Sequence, residues 1–143
     1  SEVKKQLRDN TQETEVAILD GSPGIGCPVI ASLSGVDLAL MVAEPSVSAF
    51  SDLKRVISSA RQLQVPVAVV VNKYDMNPTI CGEIEVFCFK EGIPFLGKIP
   101  YDGQVIASLN KGENPACLNS PASNALKSIY SKTLQVWKEH VRQ

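Results

Sequence analysis

Four places in the chain set ligand-capable residues directly after an apolar run. In the first, Val16-Ala-Ile-Leu leads into Asp20 and then Gly21-Ser-Pro-Gly-Ile-Gly26. A carboxylate placed there can hold a hydrated magnesium ion, and a glycine-rich backbone can turn its amides toward a phosphate. Gly21, Gly24 and Gly26 admit close approach or a change of conformation, while Pro23 limits how the loop moves. The same residues also fit a strand that ends in a tight turn before a helix. In the second place, Asn72-Lys73-Tyr74-Asp75 follows the run Pro66-Val-Ala-Val-Val-Val71. Asn72 can give and take hydrogen bonds at a purine edge, the Lys73 stem can lie over the ring, and Asp75 can accept a pair of donors. Taken alone, four residues also fit a polar loop with a helix cap. The third and fourth places are Glu44-Pro45-Ser46-Val47-Ser48 and Pro100-Tyr101-Asp102-Gly103.

The elements that must position these residues follow from hydropathy. Short continuous apolar runs bounded by turn residues read as strands of a buried parallel sheet. They fall at about 15–19, 37–43, 66–71 and 94–99. Helical spacing marks about 27–34, then 49–64, with Phe50, Leu53, Val56, Ile57, Ala60 and Leu63 on one stripe. Ser48 or Ser51 is its expected N-cap. Further helices are expected at about 79–91 (Ile80, Ile84, Phe87 and Cys88 inward, stopped by Gly92), 104–109 and 121–142. On the last of these, Leu126, Ile129, Tyr130, Leu134, Trp137 and Val141 share a face and are expected to pack as core. Strands that alternate with helices imply βαβ crossovers and a parallel sheet covered on both sides. In such a sheet the loops after the strands emerge on one edge, where ligands bind. The whole chain, 1–143, reads as a single α/β domain.

Composition narrows the function classes. The chain has 143 residues, 44% hydrophobic and 20% charged, with a formal net charge of −1. That balance gives no basic footprint for nucleic acid, and no apolar run approaches the roughly 20 residues of a membrane span. Cys27, Cys81, Cys88 and Cys117 form no C-x-x-C pair, and there is one histidine, so a self-contained zinc site is not expected. Free thiols in a reducing cytoplasm are the expectation.

The four segments, taken in order, resemble the second half of a MinD/Mrp/ParA-type P-loop ATPase. The similarity runs from about residue 15 to 109. Within that group the chain is most similar to the MinD-superfamily ATPases that carry an inserted ferredoxin-like iron–sulfur domain. The resemblance implies a three-layer, Rossmann-like P-loop NTPase fold with a mostly parallel sheet. It implies that Asp20 is the magnesium-linked acid, acting through water, and that Gly21, Pro23 and Gly24 belong to the switch loop that senses the γ-phosphate. Asn72 would touch an adenine base, with Asp75 beside it, and Pro100, Tyr101 and Asp102 would supply contacts on the base's other side. Glu44, Pro45, Ser46 and Ser48 would lie near the surface of a nucleotide-bound dimer.

The chain also departs from that pattern. No Gly-x-x-x-x-Gly-Lys-Ser/Thr occurs in these residues, nor do the cysteines of a ferredoxin domain. Phosphate binding needs a loop of amides, a lysine and a hydroxyl on magnesium. The expectation is therefore an incomplete fold, lacking the P-loop strand that the resemblance places between the strands at 15–19 and 37–43. A four-stranded sheet that rearranges, dimerises or accepts a missing N-terminal half follows, since an unpaired central edge invites association. ATP and Mg2+ are the cofactors implied for an intact protein. An iron–sulfur cluster is implied only for the missing half, with a redox or iron–sulfur partner. Two other functions fit the residues: a GTPase-like guanine site through Asn72–Asp75, and a non-catalytic α/β domain that binds a protein partner with its rim.

Overall fold

The computed structural model of the chain describes residues 16–21 and 31–141. Its elements run β1 (Ala39–Ala43), α1 (Val47–Gln62), β2 (Val67–Asn72), a 3-10 turn (Tyr74–Met76), α2 (Pro78–Lys90), β3 (Phe95–Ile99), α3 (Gly103–Asn110), a second 3-10 turn (Pro115–Cys117) and α4 (Pro121–Val141). Everything is arranged about β2, Val-Ala-Val-Val-Val-Asn. Branched side chains suit a pleated backbone, and an apolar residue at every position demands cover on both faces. β1 and β3 pair with β2 on either side, both parallel. On one face Val67, Val69 and Val71 pack with Leu53 and Ile57 of α1 and with Ile84 and Cys88 of α2. On the other, Ala68 and Val70 pack with Leu96 of β3 and Ile129 of α4. The expected three-layer, parallel α/β fold is therefore present.

Its sheet differs from the expectation in one respect. Among the described residues it has three strands rather than four. Residues 16–21 form no strand, and Val16 and Ile18 are exposed, Ile18 to 81%. A backbone adopts a stable strand only where a neighbour takes its N–H and C=O groups. The resemblance sets this segment not against β1 but beside a P-loop strand, and among the described residues no strand lies between the two to pair with it. The outer edge of β1 is likewise unpaired by the other described strands. Leu40 and Val42 share the sheet face of Ala68 and Val70 in register, yet Val42 is 63% exposed, because α4 covers only the β2–β3 side. Residues 31–33 are helical, which places the end of the expected 27–34 helix; the rest of it lies outside the described residues.

Local chemistry sets the helix ends. Ser46, rather than Ser48 or Ser51, caps α1: its Oγ accepts from Ala49 N at 3.1 Å. Pro45 just before it is buried and fixes where the chain turns. Asn77 caps α2 through Oδ1 to Ile80 N, with Pro78 in the first turn, where its missing N–H costs nothing. Gly92 follows α2 at φ +68°, a left-handed stop that glycine adopts freely. On α4 the expected core face is only partly buried. Ile129 is buried, but Leu126, Tyr130 and Val141 are exposed. The reason is that α4 meets only two strands, so a narrow stripe of Ala122, Ser123 and Ile129 suffices. That close fit depends on Gly97 of β3, at φ +152°, where a Cβ would stand 2.9 Å from Ile129 Cγ1.

Candidate functional site

The loops after β1, β2 and β3 form one rim, as a parallel sheet requires, and side chains fasten each to the next. Asn72 is the last residue of β2, half-buried and paired in the ladder with Ile99. Lys73 follows in the left-handed region, φ 53° and ψ 43°, a conformation that costs a non-glycine residue of order 1 kcal/mol or more. The bend throws Lys73 toward the neighbouring loop, where Nζ lies 3.6 Å from Glu44 Oε1. Both side chains are largely solvated, so the pair orients the loops and adds at most about 1 kcal/mol. On the other flank, Asp75 Oδ1 accepts a hydrogen bond from Tyr101 N at 2.9 Å. Behind the rim, Lys98 Nζ lies 4.9 Å from the Tyr74 ring centre and 3.5 Å from Glu85 Oε1.

Asp102 holds the far end of the rim. Its Oδ1 accepts from Gln104 N at 2.9 Å, capping α3, and its Oδ2 accepts from Ala122 N at 3.3 Å in the first turn of α4. Hydrogen bonds from the Ser120 hydroxyl and from these two amides hold its carboxyl below the usual carboxylate range. Ser120, buried, also accepts from Ser123 N, and the Ser123 hydroxyl donates to Pro115 O at 2.6 Å. One carboxylate thus joins two helix N-termini, where negative charge is favoured. A folded-state value below the unfolded one stabilises the fold above about pH 4, and that contribution is lost as pH falls through the lowered value. Acid unfolding followed by circular dichroism should accordingly show a shallower acid limb for Asp102→Asn than for the wild type, with both variants compared to their own neutral baselines.

Of the residues expected to meet a ligand, the structure brings Asn72, Asp75, Pro100, Tyr101 and Asp102 to this rim; of those expected near a dimer surface, Glu44 lies on the rim and Pro45, Ser46 and Ser48 at the start of α1. Asp20 is exposed, and Gly21 lies beside Ser32: a Cβ on Gly21 would be 3.7 Å from Ser32 Cβ. Pro23 and Gly24 lie outside the described residues, as does Cys27. Sequence reasoning missed three contacts: the Lys73–Glu44 pair, the Asp75–Tyr101 bond and the second, long-range bond of Asp102. The last spans 20 residues, and the capping signal of an Asp at a helix start points only to the local bond with Gln104 N. The other two join loops 29 and 26 residues apart and leave no local mark.

Cys81 and Cys88 are free and buried in the apolar layer of α2. Burial pushes the thiols of Cys81 and Cys88 up, that of Cys88 to about 11, with Glu85 adding to both shifts. Both pack as small apolar side chains in the layer that holds Ile57 and Ile84. Cys117 is free and exposed. Among the described residues no three His, Cys, Asp or Glu side chains gather as a metal site, and no helix is long and apolar enough to cross a membrane.

A parallel sheet covered on both faces, with a polar rim beyond its carboxyl ends, defines the class as an α/β protein of Rossmann-like architecture. No family model matches the sequence. In structure the chain is similar to the MinD cell division protein of Aquifex aeolicus, with a TM-score of 0.64 and 25% identity, over 78% of this chain and 50% of that one. In sequence it is 35% identical over 123 residues to the uncharacterized protein MJ0578 of Methanocaldococcus jannaschii. It is 30% identical over 128 residues to the iron–sulfur cluster carrier protein of Aquifex aeolicus, and 28% identical over 141 residues to that of Pyrococcus furiosus. These likenesses cover 84%, 80% and 89% of this chain but 40%, 34% and 48% of the relatives, so the chain spans less than half the length of each. Together they place the chain in the MinD/ParA-like superfamily of P-loop ATPases, with iron–sulfur cluster carrier proteins among its relatives.

Proposed function

We propose that this chain is the base-binding and nucleotide-sensing half of a MinD-type ATPase whose intact form serves iron–sulfur chemistry. The observation that supports the reading most strongly is the fastening of three successive rim loops, Glu44 to Lys73 and Asp75 to Tyr101, at the end of the sheet where this class of fold binds its ligands. Asn72 is the residue proposed to meet an adenine base, with Pro100 to Asp102 as the wall on its other side. Asp20 is proposed to hold magnesium through water. Magnesium is usually held by one or two carboxylates together with phosphate oxygens, so a single acid fits that role when nucleotide is bound. The cluster or its iron is cargo in this reading, taken up outside the described cysteines. Glu44, Pro45, Ser46 and Ser48 are proposed to face a second subunit in the nucleotide-bound dimer of the intact protein, in the cytoplasm.

Hydrolysis is not expected of these residues alone. The loop of amides, the lysine and the magnesium-binding hydroxyl that support phosphoryl transfer do not occur in the sequence. Purified chain incubated with ATP and magnesium should release no phosphate above background. Clear turnover that is lost in Asp20→Ala would overturn this half-site reading.

A further inference from the structure

We infer that Asp75 is a positioning residue that latches the Pro100–Tyr101 wall to the Asn72 loop, rather than a residue that reads the base. The inference rests on the nucleotide reading above and specifies how that site is held. The β2–β3 ladder ends at the Asn72–Ile99 pair. Beyond it no strand pairing sets the distance between the two loops. Pro100 has no N–H, so Tyr101 N is the first amide donor after β3. Asp75 Oδ1 takes that donor at 2.9 Å, continuing by a side chain the link that the ladder drops. Asp102 ties the next residue along to α3 and α4, so the short wall is fastened at both ends.

The same bond bears on base choice. Reading guanine by a carboxylate uses two oxygens, one for N1–H and one for the 2-amino group. In this chain one oxygen of Asp75 is committed to a backbone donor across the rim. A carboxylate oriented by this bond keeps lone pairs to spare but is no longer free to turn both oxygens to a guanine edge, whereas an adenine needs no acidic partner there.

The test compares the wild-type chain, Asp75→Ala and Asp75→Asn. Amide exchange followed by NMR reads the latch, and titration with fluorescent ATP and GTP analogues reads the site. A hydrogen bond to a carboxylate of this kind is expected to slow Tyr101 exchange by about tenfold, a protection lost in Asp75→Ala. Amides in the middle of β2 and α4 should be unaffected. Affinity for the ATP analogue should fall severalfold in Asp75→Ala. Asp75→Asn, which keeps an acceptor oxygen, should recover much of both. Unchanged Tyr101 exchange in Asp75→Ala would overturn the inference. So would a preference for the GTP analogue that disappears in Asp75→Asn. If the wild type binds neither analogue, even with the P-loop half of a relative added in trans, the nucleotide reading fails, and Tyr101 exchange alone decides whether the latch exists.

Discussion

Gly97→Ala is expected to destabilise the chain by about 3 kcal/mol, combining an overpacked contact with a backbone angle that L-residues rarely adopt. The added Cβ would stand 2.9 Å from Ile129 Cγ1 and 3.3 Å from its Cδ1. Ile129 is the main buried anchor of α4 on the sheet and cannot swing aside without opening the Ala68–Val70–Leu96 layer. The φ of +152° penalises the substitution even if the side chain yields. Gly82 on α2 provides the contrast. Nothing lies within 4 Å of a Cβ there, and its backbone is helical. Gly82→Ala should stabilise by about 0.5–1 kcal/mol through helix propensity. Urea unfolding of the two variants should therefore move the midpoint in opposite directions. Equal shifts would show that α4 does not sit on β3 as closely as the structure has it.

The second large effect is expected at Ile84→Ala. Ile84 is fully buried between α2 and the central strand, in the layer that also holds Leu53, Ile57, Val69 and Cys88. Removing its branch leaves a cavity in the larger of the two cores, at a cost of about 2–5 kcal/mol. Phe89 lies on the same helix and is the larger residue, but it is 88% exposed. Phe89→Ala should change stability by no more than about 0.5 kcal/mol, as surface substitutions usually do. Chemical denaturation of the pair separates burial from hydrophobicity, since the two residues differ mainly in where the helix points them.

The contrast also shows what the sequence makes legible. β2 could be read directly, because five apolar residues bounded by Pro66 and Asn72 fit little except a strand buried on both faces. The inward stripe of α1 was equally plain at Leu53, Ile57 and Ala60. The α2 helix was less so. Apolar residues surround it, so its pattern does not say that Cys81 is buried while Val86 and Phe89 face solvent. On α4 the wide apolar stripe overstated burial at Tyr130, because how much sheet a helix covers is a tertiary fact. The segment at 16–19 has the composition of a strand, yet pairing depends on a neighbour that local pattern cannot supply. The rim residues were found by their place after strands. Their fastening, with Lys73 bent left-handed toward Glu44 and Asp75 tied to Tyr101, arises from loops that meet only once the sheet has formed.

The stability effects and the rim geometry meet at one point: the loops after the three strands should respond to a single ligand. Titrating the chain with Mg·ATP while following backbone amide resonances tests this most directly. Shifts gathered at Asp20, Glu44 to Ser48, Asn72 to Asp75 and Tyr101 to Asp102, and weakened in Asn72→Ala, are the predicted result. Shifts confined to the exposed faces of α2 or α4, or none at any attainable concentration even with the P-loop half of a relative added in trans, would contradict it.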